Sequence, residues 1–217
     1  MPTHLQIDVH VDVICPWCWI GKRHLETAIT SLQERDAGLQ VQVHWHPVQL
    51  LPDLPPGGVL FREFYERRLG SAAAVQARQA QVRAAAAQAG LHIEFDRIVR
   101  MPSCTLALAL LAYAGAHGSS TQAHAVLDSL FAAHFQQGLD IGDAATVQAI
   151  ARQCGRDGHE SGDRAVPMRR AELTPQVSGV PYFVFGQATA VTGAQPPQRR
   201  LEAMDACLNI KRIPCPQ

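Results

Sequence analysis

An excess of charge of either sign is missing from this sequence: 19 Lys and Arg stand against 19 Asp and Glu, and the 217 residues carry no formal net charge. Without a basic excess there is no electrostatic footprint for nucleic acid, so none is expected as a partner. Long apolar runs are also lacking. The longest, residues 106–116, falls well short of the ~18 apolar residues that cross a bilayer, and no membrane partner is expected. The opening residues Met1-Pro2-Thr3-His4-Leu5 show no basic segment, apolar core or small-residue cleavage site, from which a cytoplasmic location is the expectation. Neither an internal repeat nor a low-complexity tail is found. A hydrophobic fraction of 47% supports a sizeable core in one elaborated domain. The six cysteines are then not needed as staples, and they read as redox-active or buried thiols.

What is present is a change of period along the chain. Leu5, Ile7, Val9, Val11 and Val13 alternate with polar residues, the period-2 pattern of a strand running directly into Cys15. Leu25, Ala28, Ile29 and Leu32 follow at helical spacing, with Lys22, Arg23 and Glu26 on the outward side. Leu39, Val41, Val43 and Trp45 alternate again. A Pro- and Gly-rich stretch, residues 47–58, precedes a region whose strong patterns are all helical: an Ala-rich segment between Ser71 and Gly90, an all-apolar segment at residues 106–113, and two faces carrying Leu127 and Leu130, then Val147 and Ile150. Sheet character returns at residues 180–185, with a Gly186-Gln187 turn and a return strand, and a last helix spans about 198–209. The order is β-α-β, helices, β-β-α. Three parts are expected: residues 1–59, a helical insertion at 60–172, and 173–217.

Chemistry concentrates at Cys15-Pro16-Trp17-Cys18, placed where a strand gives way to a helix. Disulfide exchange needs a thiolate, and the unpaired N–H groups of a helix N-terminus stabilise a nearby anion by ~0.3–2 kcal/mol. Pro16 suits the first turn, where its missing N–H is not needed. Cys15 is therefore the expected nucleophile and Cys18 the resolving thiol. Residues three apart on a helix have Cβ atoms ~5–6 Å apart against ~3.5–4.5 Å in a disulfide, so closure is strained and an oxidant or isomerase is favoured. A zinc half-site is the competing reading of one C-x-x-C. No second C-x-x-C and no H-x(3–5)-H pair with matching context accompanies it, and no metal is expected.

The run Cys15-Pro16-Trp17-Cys18-Trp19-Ile20-Gly21-Lys22 resembles the FrnE-like branch of the DsbA thioredoxin superfamily, related to the 2-hydroxychromene-2-carboxylate isomerases. Val11-Asp12-Val13-Ile14, Asp140-Ile141-Gly142-Asp143, residues 177–184 and Thr192-Gly193-Ala194-Gln195-Pro196 extend the resemblance over nearly the whole chain. It implies an α/β thioredoxin fold with an inserted helical subdomain. It also implies a cis Pro181 facing the cysteine pair, catalytic positions at Cys15, Cys18 and Pro181, and substrate contacts at Pro16, Trp17 and Val180. Two departures stand out. Pro102-Ser103-Cys104-Thr105-Leu106-Ala107-Leu108 lacks the Asn and the Ala-His pair usual in that segment, and Trp17 stands where DsbA has a histidine, so a milder oxidant is expected.

Asp12, on the polar side of the first strand, is a candidate proton acceptor if burial raises its pKa. Cys104 could face the cleft, Cys154 reads as a buried hydrophobe, and Cys207 with Cys215 could form a second bridge; most histidines read as surface or packing residues. The expected function is thiol-disulfide oxidoreduction on protein or small-thiol substrates, with no permanently bound cofactor and glutathione as redox co-substrate. The rivals are a glutathione-dependent isomerase of the hydroxychromene carboxylate type and a non-catalytic binding module.

Overall fold

The computed structural model describes residues 4–155 and 179–212, the side chains of 209–212 excepted. Its centre is a four-stranded sheet in the order β2-β1-β5-β6, comprising β1 (His4–Val11), β2 (Gln40–Pro47), β5 (Tyr182–Phe185) and β6 (Thr189–Thr192). β1 runs parallel to β2 and antiparallel to β5, which makes a hairpin with β6 through Gly186 and Gln187, both at positive φ. The period-2 alternation decides which face is covered. Leu5, Ile7, Val9 and Val11 are fully buried, whereas Gln6, Asp8 and His10 on the opposite face stay partly exposed.

β1 stops at Val11, two residues earlier than its alternation suggests. The Val11 carbonyl accepts from the Val48 amide at 2.8 Å, and the Cys15 amide donates to the Asp12 carbonyl at 3.1 Å, so residues 12–15 form a turn rather than more strand. Asp12 and Val13 both point inward from that turn, and the strand phase no longer predicts their burial.

α1 (Pro16–Arg35) links β1 to β2. Between β2 and β5 lie β3 (Val59–Leu60), α2 (Phe61–Leu69), α3 (Ala72–Gln88), a 3-10 turn (Phe95–Arg97), β4 (Arg100–Met101), α4 (Thr105–His117), α5 (Ser120–Phe135) and α6 (Ala144–Gln153). β3 pairs antiparallel with β4, a two-strand clasp absent from the sequence reading. Ser71 caps α3 by accepting from the Ala74 amide at 3.1 Å, Ser119 and Gln122 make a reciprocal capping box on α5, and Asp143 caps α6. α7 (Pro197–Arg212) packs on β5, β6 and α1.

α1 also joins the insertion to the sheet. Trp19 stacks on Phe131 and Phe135 of α5, with ring centroids 5.9 and 5.8 Å away. One turn on, Lys22 is wholly buried against the same helix, which corrects its expected outward placement. Heptad spacing marks the side of α1 facing the sheet; it carries no sign that α5 covers a second side.

Candidate active site

Cys15 caps α1 in an extended conformation, with Pro16 in the first turn as its fixed φ favours. The two thiols differ in access. Cys15 retains 8% of its surface and lines an open cavity, whereas Cys18, one turn deeper, has 0%. Burial pushes the Cys18 thiol well above its ordinary value, aided by its hydrogen bond and charge interaction with Cys15. Among the described residues Cys15, Cys18, Cys104, Cys154 and Cys207 are free thiols.

Opposite α1, the Val180–Pro181 peptide is cis, and the Cys15 thiol points at the Val180 carbonyl, Sγ to O 3.9 Å. Three contacts hold this loop in place. The Gly193 amide donates to the Pro181 carbonyl at 2.8 Å, and Arg200 Nη2 donates to the Gly193 carbonyl at 3.1 Å. The Arg200 guanidinium carbon lies 3.6 Å from the Phe183 ring centroid, a cation–π contact inside the core. A Cβ on Gly21 would stand 3.0 Å from Pro181 Cγ and 3.2 Å from Arg200 Nη2, so a hydrogen there is what lets α1 approach the loop. Arg200 is fully buried, its Nε and Nη1 have no hydrogen-bond partner among the described residues, and burial lowers its pKa to about 9. Sequence inspection missed it, because an Arg in a terminal helix reads as surface.

Beneath the pair lies Asp12, also without exposed surface. Its Oδ2 accepts from the Leu50 amide at 2.7 Å and its Oδ1 from the Ile14 amide at 3.3 Å. Burial raises its carboxyl to about 6, against the opposing pull of those two amides and the Cys104 thiol. The carboxylate in turn stands close enough to Cys18 to raise that thiol by charge repulsion. Cys104 is 2% exposed, contributes nothing to the cavity wall and meets Asp12 instead, so it does not face the cleft. Cys154 is half-buried with its sulfur 3.5 Å from Ser129 Oγ, less enclosed than its helix face suggests. Cys207 is buried, and a bridge to Cys215 lies outside the described residues.

The cavity at Cys15 measures about 310 Å3. Its floor is Cys15-Pro16-Trp17, and its walls come from the aromatic side of α2 and from α3, with Arg68 and Arg78 among the lining groups. Tyr65 is raised to about 12 by burial and then by Cys15, while Arg68 and Arg78 pull it the other way. Tyr65 is thus within electrostatic reach of both the sulfur and the two guanidinium groups.

A second polar cluster lies between α1 and α5. Lys22 Nζ contacts Asp128 Oδ1 at 2.7 Å and His124 Nε2 at 2.8 Å and pairs with Glu26. Burial alone would raise Glu26, but hydrogen bonds and charge from His124 and Lys22 outweigh it and hold the carboxyl at about 2. Glu26, His124 and Asp128 have the spacing of a metal cradle, yet the Lys22 ammonium already supplies the cation there. His124 belongs to this cluster and is not the isolated packing residue that its sequence position suggests.

Among the described residues no helix is long and apolar enough to cross a membrane. A family model, the DSBA-like thioredoxin domain, matches residues 6–205. A probable DsbA oxidoreductase, SCO1869 of Streptomyces coelicolor, is 25% identical over 99% of this chain and 94% of its own, with a TM-score of 0.79. Two further structures share the fold. A 2-hydroxychromene-2-carboxylate isomerase is 13% identical, covering 95% of this chain and 96% of its own at a TM-score of 0.61. The cytosolic disulfide reductase DsbM of Pseudomonas aeruginosa, solved with glutathione, is 18% identical with the same coverage of both chains and a TM-score of 0.54.

Proposed function

The chain belongs to the DSBA-like thioredoxin domain family, a family of thiol-disulfide oxidoreductases, and from that premise we propose that Cys15 and Cys18 are its exchanging pair. The observation that carries the assignment is the asymmetry of access: one sulfur borders an open cavity and faces the Val180 carbonyl, the other is sealed beneath it beside a buried carboxylate. The Cys15 thiolate attacks a substrate disulfide, forming a mixed disulfide and releasing one substrate thiolate. Asp12 takes the Cys18 proton. The Cys18 thiolate then attacks Cys15 Sγ, which forms the Cys15–Cys18 bond, releases the second substrate sulfur as thiolate and leaves the substrate reduced by two electrons. Run backwards, the same steps oxidise a dithiol.

Pro181, Val180, Pro16 and Trp17 position the substrate around Cys15, where the Val180 backbone would pair with an extended chain. Net oxidation or isomerisation in the cytoplasm, with glutathione returning the enzyme to its working state, is the form favoured here. Glutathione on the similarly folded cytosolic DsbM supports the choice of recycling thiol. The retained Cys18 argues against the hydroxychromene-type isomerase, which needs a bound thiol and no resolving partner. Equilibration in glutathione buffers gives the potential and tests the roles. Cys18→Ser should accumulate mixed disulfides and Cys15→Ser should not; equal accumulation in the two variants would refute the assignment.

A further inference from the structure

The cavity beside Cys15 has a composition that thiol exchange by itself does not require. Phe61, Phe64 and Val75 present apolar surface to it, and among the described residues no carboxylate lines it. Arg68 and Arg78 line it from two different helices with exposed side chains. Among the described residues neither is paired with a carboxylate; Arg78 donates to Gln81 Oε1 at 2.8 Å, one turn along its own helix. Both act on the Tyr65 hydroxyl, which in turn feels Cys15. Within one small space the order is therefore a sulfur nucleophile, an aromatic wall and two unneutralised cations.

That order matches a ligand. Two like charges brought together repel unless an anion lies between them, and guanidinium groups favour planar carboxylates. A volume of about 310 Å3 sits at the small end of ligand pockets, enough for a ring and a short chain. The Val180–Pro181 loop, where an extended polypeptide would pair, contributes none of the lining residues. We propose that this cavity is a specificity site for small organic disulfides and thiols that carry an apolar or aromatic body and a carboxylate. The body lies on Phe61, Phe64 and Val75, the carboxylate meets Arg68 and Arg78, and the sulfur reaches Cys15. The proposal rests on the exchange chemistry assigned to Cys15 above. Cys15 attacks the bound disulfide, one half leaves as an aryl thiolate and the other remains on Cys15 until Cys18 displaces it, so sulfur and electrons balance without a further reagent.

The test uses two aromatic disulfides, anionic 5,5′-dithiobis(2-nitrobenzoate) and neutral 2,2′-dithiodipyridine, each mixed with the reduced full-length protein. Rates from Cys15→Ser protein are subtracted to remove the other thiols. The ratio of anionic to neutral rate constants should fall about tenfold in Arg68→Gln/Arg78→Gln, equivalent to about 1.4 kcal/mol, and should hold in Arg62→Gln, on the same helix but outside the cavity. Unreactive 2-nitrobenzoate should bind Cys15→Ser protein in calorimetry and lose affinity by a similar factor in the double variant. An unchanged ratio with unchanged 2-nitrobenzoate affinity overturns the proposal and leaves the exchange reading intact. Saturable 2-nitrobenzoate binding by a protein that reacts with neither disulfide overturns the exchange reading instead.

Discussion

Replacing Asp12 by Asn should make the protein more stable at neutral pH and slower at chemistry. In the folded protein the Asp12 carboxyl is raised to about 6 by burial, against ~3.9 in an unfolded chain. A raised acid favours the fold while protonated and loses that advantage as pH climbs from the unfolded value through the folded one. Ionisation of Asp12 therefore costs the native state about 3 kcal/mol at pH 8 and about 0.5 kcal/mol at pH 4. Asn carries no such cost at either pH. It also gives up one of the two acceptor oxygens that serve the Leu50 and Ile14 amides, a loss of about 1 kcal/mol at both pH values. The difference between the two pH values removes that constant. Urea unfolding of wild type and Asp12→Asn should show the variant gaining about 2.5 kcal/mol relative to wild type between pH 4 and pH 8. In stopped flow, resolution of a preformed Cys15 mixed disulfide by Cys18 should slow on the order of 10²-fold, as expected for a lost general base. A pH-independent stability difference would refute the raised carboxyl. Unimpaired resolution would remove Asp12 from the proton path while leaving the thermodynamic argument untouched.

Two further substitutions probe the scaffold. His134 is fully buried and burial lowers it to about 4, so the neutral ring belongs to the fold. Its contribution is whole above an unfolded value of ~6.5 and shrinks as pH falls towards 4; His134→Leu should gain about 3 kcal/mol relative to wild type over that range, and parallel stability curves would contradict this. Gly21→Ala trades a helix-propensity gain of up to ~1 kcal/mol for contacts with Pro181 Cγ and Phe183 Cζ at 3.0 and 3.1 Å. A net destabilisation of about 1–2 kcal/mol with a slower reaction at Cys15 is expected, and a more stable, equally fast variant would show that the loop does not need that approach.

The pattern of local signals was strong where one element faces one neighbour. The alternation of Leu5, Ile7, Val9 and Val11 and the Gly186-Gln187 turn both act over a few residues, and each appears in the structure where its spacing put it. The position of Cys15 was legible for the same reason: a thiol at the junction of strand and helix is defined by its immediate neighbours. Lys22 shows where such reasoning ends. Its position in the period of α1 marks it as outward, and only the docking of α5 turns that side into an interface.

By itself, then, the amino-acid order determined the order of the longer elements, the covered face of β1 and the placing of the cysteine pair where a strand gives way to a helix, because these depend on contacts between residues close along the chain. Only the tertiary structure decided that Asp12 is sealed beneath Cys18, that Arg200 braces the Val180–Pro181 loop through Gly193, and that Arg68, Arg78 and Tyr65 line one cavity. Each depends on segments far apart in the chain: Leu50 and Cys104 enclose Asp12, Gly21 of α1 meets Pro181 and Arg200, and Arg68 and Arg78 line one cavity with Cys15. Burial and charge act through space, and nothing in the spacing of distant residues encodes which of them will share one dry pocket.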